Sequence, residues 1–389
     1  MGPLDRRAKL PRVPNADRAS FIALSFAVLV GVFGTVDADD TVLTVDHYVR
    51  HESTLPAMRG ETAQLYVRER VLAGTLARTR DFADRVVLFV HGAGTPAEVA
   101  FDVPFADYSW MAYLAAAGFD VFSMDVTGYG RSTRPNVMND PCNLAPEDRA
   151  GLATADCDPS YAGELGNIAS DWDDIGAVVE YVRTLRGVDE LALLGWSLGG
   201  PRAGGFAAQN PDRVSRLVLL APAYEGDRSP NPPASLPVEG AAITKQSHAD
   251  FTANWERQLG CEDQYDARAA ESVWQAMLAS DPVGATWGTG MRRAPRTTVW
   301  GWNEGLVSRT RTPMLIVHGV HDKQVAPERG MSLYADLGSA SKVYIDLGCA
   351  SHNAMWERNH TLLFRASLEW LQRGTVNGVD NGILQMGYE

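Results

Sequence analysis

Leu191-Ala192-Leu193-Leu194-Gly195-Trp196-Ser197-Leu198-Gly199-Gly200 reads as a short apolar strand that runs through Gly-x-Ser-x-Gly into a helix. In that setting the serine sits on a sharp turn with its hydroxyl pushed out at the end of a sheet, and the flanking glycines leave room for the turn. Ser197 is therefore the candidate nucleophile. The bare pentapeptide also occurs by chance as an ordinary turn, so the flanks have to decide.

Upstream, Arg85-Val86-Val87-Leu88-Phe89-Val90 ends in His91-Gly92-Ala93-Gly94, and Gly118 to Asp125 is followed by Gly128-Tyr129-Gly130-Arg131-Ser132. Downstream, Met314 to Gly319 leads to His321-Asp322, and Val343 to Leu347 leads to Ser351-His352. Together these stretches resemble the α/β-hydrolase superfamily, in its esterase and lipase branch, over residues 60–375 and in the family's order Ser, Asp, His. The resemblance implies an α/β fold, a doubly wound and mostly parallel sheet with an inserted, mainly helical cap.

It also implies a set of roles. Ser197 would be the nucleophile, His352 its base and Asp322 the acid that orients the imidazole. Glu225 is a rival acid, because some relatives carry it after the preceding strand. The backbone N–H groups of Ala93 and Leu198 would form the oxyanion hole. In such a site His91 braces its turn and Asp125 fixes its own loop.

A chain of 389 residues with 45% apolar content can bury one large core and a subsidiary one. The net charge of −13 speaks against nucleic acid or an anionic membrane as partner. Residues 1–38 look like an export signal or an N-terminal anchor: Arg6, Arg7, Lys9, Arg12 and Arg18, then the apolar run Phe21 to Gly34, with cleavage expected after Ala38. A secreted or cell-envelope protein is the expectation, touching a membrane only if that segment is retained. Four cysteines fit it. Three pairings are possible, of which Cys142 with Cys157 and Cys261 with Cys349 are expected.

The hydrolase core is expected at 39–224 and 312–389, with a cap at 225–311. Thr62 to Val71 alternates as an edge strand does, while Val86 to Val90 is apolar throughout, as in a covered parallel strand. Residues 131–169 form a long excursion. Ser170 reads as a helix N-cap, with Asp171, Asp173 and Asp174 as dipole-favoured first-turn anions and not a metal site. The tail after Arg373 reads as polar surface.

Within 225–311, helical segments are expected at Phe251 to Leu259 and Ala267 to Leu278. Five of the chain's ten tryptophans lie there. Trp255, Trp274 and Trp287, with Trp196 beside the nucleophile, either line an apolar cleft or, in the cap, build its own core. The expected reaction is hydrolysis of a carboxylic ester or lactone with an apolar or aromatic part, through an acyl-enzyme and without cofactor or metal. Thioester or carbon–carbon bond hydrolysis, and a non-catalytic binding protein on the same fold, are the alternatives. Activity should fall in acid, where the imidazole is protonated.

Overall fold

The computed structural model describes Gly2 and residues 41–78, 82–152, 156–228 and 242–388. The expected export segment lies outside the described residues, as does the proline-rich start of the insert at 229–241. Among the described residues no helix is long and apolar enough to cross a membrane.

Nine strands form the central sheet: β1 Val42–Glu52, β2 Thr62–Leu72, β3 Val86–Val90, β4 Asp120–Met124, β5 Leu191–Trp196, β6 Val214–Leu220, β7 Met314–Gly319, β8 Lys342–Leu347 and β9 Asn381–Met386. Their spatial order is β1-β2-β4-β3-β5-β6-β7-β8-β9. The first two strands pair antiparallel with each other, and β2 runs antiparallel to β4. From β4 to β9 all neighbours are parallel.

Every residue of β3, β4 and β5 is buried, because each successive side chain faces an opposite, equally covered layer. Val87, Phe89, Ala192, Leu194 and Trp196 enter one core. Val86, Leu88, Val90, Leu191 and Leu193 enter the other. Helices α1 Trp110–Ala116 and α7 His360–Arg373 cover the first face. Helices α2 Ile168–Arg186, α3 Gly199–Gln209 and α6 Pro327–Asp336 cover the second.

Two local expectations are corrected and one is refined. Thr62 to Leu72 is not the sheet edge, because β1 pairs with it along its whole length. The tail lies at the surface as expected, and there it forms a strand: β9 adds to β8 from Lys342↔Asn381 to Leu347↔Met386. Helix α2 starts earlier than expected: Asn167 is its N-cap and accepts from the Ser170 N–H, while the Ser170 hydroxyl sits at N3 of the capping box.

The insert is mainly helical, as expected, and carries strands as well. It holds α4 His248–Glu256 and α5 Ala267–Ser280, and also an antiparallel ribbon, Ile243–Ser247 with Met291–Pro295. It shares its cores with the rest of the chain. Phe251, Trp255, Val273, Trp274 and Met277 join the cluster on the β3 face. Ala242 and Ile243 pack with Met138, Leu144 and Leu165 of the excursion.

Candidate active site

Strand β5 delivers Ser197 in the left-handed region, at φ 58°, a conformation that costs a non-glycine residue about 1–2 kcal/mol. Backbone bonds hold it there. The Ser197 N–H donates to Leu220 O at 2.9 Å, and its carbonyl accepts from the N–H groups of Gly200 (2.8 Å) and Ala223 (3.0 Å). Close approach demands the two motif glycines: a Cβ on Gly195 would overlap the Gly199 carbonyl, and one on Gly199 would overlap the Val90 carbonyl.

The loop after β3 is fixed from beneath. His91 Nδ1–H donates to Gly92 O at 2.7 Å and its Nε2 accepts from the Val126 N–H at 3.2 Å, which sets its tautomer. Burial, with the Arg202 guanidinium beside it, pushes His91 well below the ordinary histidine range, so it stays neutral. Arg202, fully buried on α3, donates to His91 O and Gly92 O at 3.0 Å each and pairs with Asp171 at 2.7 Å. Ala93 is exposed and Leu198 partly so.

Asp322 lies in the turn after β7. Its Oδ1 accepts from the N–H groups of Gln324 and Val325, both at 2.8 Å. Its Oδ2 lies 2.8 Å from His352 Nδ1 and 3.2 Å from His318 Nε2. Burial favours the neutral acid, but the facing imidazoles of His352 and His318 outweigh it and hold the carboxyl well below the usual carboxylate range. The ionised carboxylate therefore accepts a hydrogen bond from His352 Nδ1–H. Nε2 of His352 is left buried, with no hydrogen-bond partner among the described residues. It is the lone pair that a general base needs.

The His352 loop is held by side chains from far along the chain. Trp196 Nε1–H donates to His352 O at 2.8 Å, and the two rings lie 5.4 Å apart, which brings the residue before the candidate nucleophile against the candidate base. Glu357, fully buried, accepts from Ser351 N–H (2.7 Å), Ser351 Oγ–H (2.5 Å) and Trp255 Nε1–H (2.7 Å). Burial raises its pKa despite these donors. The bridges join Cys142 to Cys157 and Cys261 to Cys349, with Cα atoms 5.7 Å apart in each. The second ties the insert to the His352 loop.

Glu225 is elsewhere. It pairs with Arg329 at 2.9 Å on the surface, while His352 meets Asp322. The expected aromatic cleft also gives way. Trp196 and Trp255 are buried with their N–H groups bonded to His352 O and Glu357, and Trp274 is buried against Phe251. Trp287 packs beside the excursion's core, with the Arg293 guanidinium 4.9 Å over its ring. Packing, in cores shared with the sheet and the excursion, accounts for all four. Because the helix begins at Ile168, only Asp171 of the acidic trio lies in its first turn; Asp171 pairs with Arg202, Asp174 accepts from the Thr127 N–H at 2.7 Å, and Asp173 accepts from Thr54 Oγ–H at 2.6 Å. Asp125 fixes its loop, accepting from Ala97 N–H (2.7 Å) and Arg131 N–H (3.0 Å), and burial pushes it up to about 6.

His318, Arg202 and Glu357 had no assigned role in the sequence. Each leaves a trace there: a histidine closing an apolar strand, an arginine in a helix of glycine and alanine, a carboxylate just after the candidate base.

The sheet order, the serine elbow, an aspartate-paired imidazole and the family match together define a serine hydrolase of the α/β-hydrolase fold. The chain belongs to the family Hydrolase_4, described as "Serine aminopeptidase, S33", whose profile matches residues 82–359. It is similar to a 2-hydroxy-6-oxo-6-phenylhexa-2,4-dienoate hydrolase of Comamonas testosteroni, 24% identical over 44% of this chain. The chain spans only 59% of that relative's length. A 2-hydroxy-6-oxononadienedioate/2-hydroxy-6-oxononatrienedioate hydrolase of Cupriavidus pinatubonensis is 26% identical over 63% of this chain and 73% of its own length. Among solved structures, a thermophilic esterase from Thermogutta terrifontis superposes with a TM-score of 0.51 at 18% identity, over 84% of this chain and 98% of that one. That likeness speaks for the fold.

Proposed function

We propose that Ser197 attacks a substrate carbonyl, His352 takes its proton through Nε2 and returns it to the leaving group, and Asp322 holds the imidazole and stabilises its charged form. The N–H groups of Ala93 and Leu198 would receive the negative oxygen of the tetrahedral intermediate. Water then displaces the acyl group from Ser197 by the same route in reverse. The observation that carries this reading is the unpartnered, buried Nε2 of His352 above an ionised Asp322.

The bond we favour is a carboxylic ester or lactone. An alkoxide or phenoxide leaving group needs one proton, and His352 supplies it; a departing carbon needs further stabilisation before it can leave. A second reading, hydrolysis of a carbon–carbon bond beside a ketone, is favoured by the names of the Comamonas and Cupriavidus relatives. A panel of p-nitrophenyl esters, lactones and vinylogous 1,5-diketones separates them. Ester or lactone turnover above the diketone rate supports the first reading, and the reverse order replaces it with the second. The two disulfides suit export to an oxidising compartment, which we include in the proposal; thiol titration of the natively located protein tests it.

A further inference from the structure

Above the oxyanion loop lies a charge that the catalytic reading leaves unused. The ribbon strand Met291–Pro295 crosses the loops that follow β3 and β4: a methyl group on Gly128 would collide with Pro295, and one on Gly94 would fall inside the Arg292 guanidinium. Gly94, at φ 79°, is therefore confined to glycine by backbone and by neighbour. The guanidinium thus packs against the backbone one residue beyond Ala93, an oxyanion candidate.

Arg292 is partly buried, and its Nε–H donates to Gln246 Oε1 at 3.2 Å across the ribbon. Among the described residues no carboxylate forms an ion pair with it. Asp281, on the same wall, is engaged by Arg293 at 2.6 Å and by Arg134 at 3.8 Å. Asp250 caps its own helix through Ser247. Three guanidiniums and one carboxylate thus share this wall, in a chain whose net charge is −13. Desolvating a guanidinium without a counter-charge is unfavourable unless an anion arrives with the ligand. Its planar fork matches a carboxylate.

We infer that Arg292 is the anion-recognition residue of this site, and that the substrate carries a carboxylate besides the carbonyl that Ser197 attacks. The inference rests on the serine hydrolase reading above. It also sets this chain against substrates with a free α-ammonium group, which would face a like charge.

The test is a ratio of kcat/KM between matched esters. p-Nitrophenyl monoesters of adipic, pimelic and suberic acids are compared with the hexanoate, heptanoate and octanoate; on the alcohol side, 4-acetoxybenzoate is compared with 4-acetoxybenzamide. The wild-type protein should favour the anion in at least one series by about tenfold or more, the size of one charge-assisted hydrogen bond. Arg292→Gln should bring that ratio to about one, with Arg292→Lys in between. L-Alanine p-nitroanilide should be the poorest substrate. A wild-type ratio of one or less in both series overturns the inference, even if the variants fail to fold. So does a preference that survives Arg292→Gln. If a fluorophosphonate labels Ser197 while the ratios stay flat, the anion site falls and the serine hydrolase stands; if the label is absent, the reading beneath both has failed.

Discussion

The turn that carries Ser197 and the loop that carries His352 meet at Trp196, yet they are held by different means. The turn is held by its own backbone: three main-chain hydrogen bonds and two glycines that let strands and helix approach. The loop is held by side chains that arrive from elsewhere, Trp196 from β5, Trp255 and Cys261 from the insert, and His318 from β7 through Asp322. A nucleophile can thus be positioned by a short local motif, whereas its base needs the folded chain. The insert thus helps to hold the His352 loop.

If that difference is real, damage to the loop should be graded, and its largest effect should come where the imidazole's tautomer is set. Asp322→Asn leaves the shape but removes the charge, and should lower kcat by about 10⁴-fold, as such a change does in other Ser-His-Asp enzymes. Steady-state kinetics on an ester checks it.

Replacing both Cys261 and Cys349 by serine opens a closure of 88 residues, against 15 for Cys142 with Cys157. Chain entropy puts the first at up to about 4–5 kcal/mol and the second at about 3 kcal/mol. Urea unfolding should therefore show the larger loss for the first pair, and only that pair should also lower kcat. Glu357→Ala strands three buried donors and should cost about 2–4 kcal/mol in the same assay. A cost below 1 kcal/mol would mean that the loop does not depend on that carboxylate. Trp196→Phe leaves the His352 carbonyl unpaired and should cost about 1–3 kcal/mol.

The gentlest probe is pH. The folded pKa of Asp322 lies below its unfolded value of about 3.9. Its contribution to stability is therefore fully present above that value and is lost as pH falls through it toward the folded value. Unfolding free energies measured from pH 6 down to pH 3 should decline less steeply in Asp322→Asn than in the wild-type protein.

The same division explains what could be read in the sequence. The apolar runs of β3, β5, β6 and β7 declare a covered parallel sheet, and the elbow, Asp322 and His352 stand in an order that one family shares. Strand β1 is hard to read although its exposure alternates, because His47 and His51 take inward positions while Tyr48 faces out, and β9 because Asn381 and Gly382 give it the look of a loop. Arg202 and Glu357 were missed for a deeper reason. Their roles exist only against partners 111 and 102 residues away, His91 and Trp255, which no local pattern can announce. The cap tryptophans were open between cleft and core for the same cause, until Glu357 and Phe251 were seen beside them.

The most direct measurement is mass mapping of the protein after reaction with a fluorophosphonate. One adduct is expected, on the peptide that contains Ser197, formed far more slowly in Asp322→Asn and absent in Ser197→Ala. An adduct on another residue, or labelling of Ser197 at an unchanged rate when Asp322 is neutralised, would contradict it.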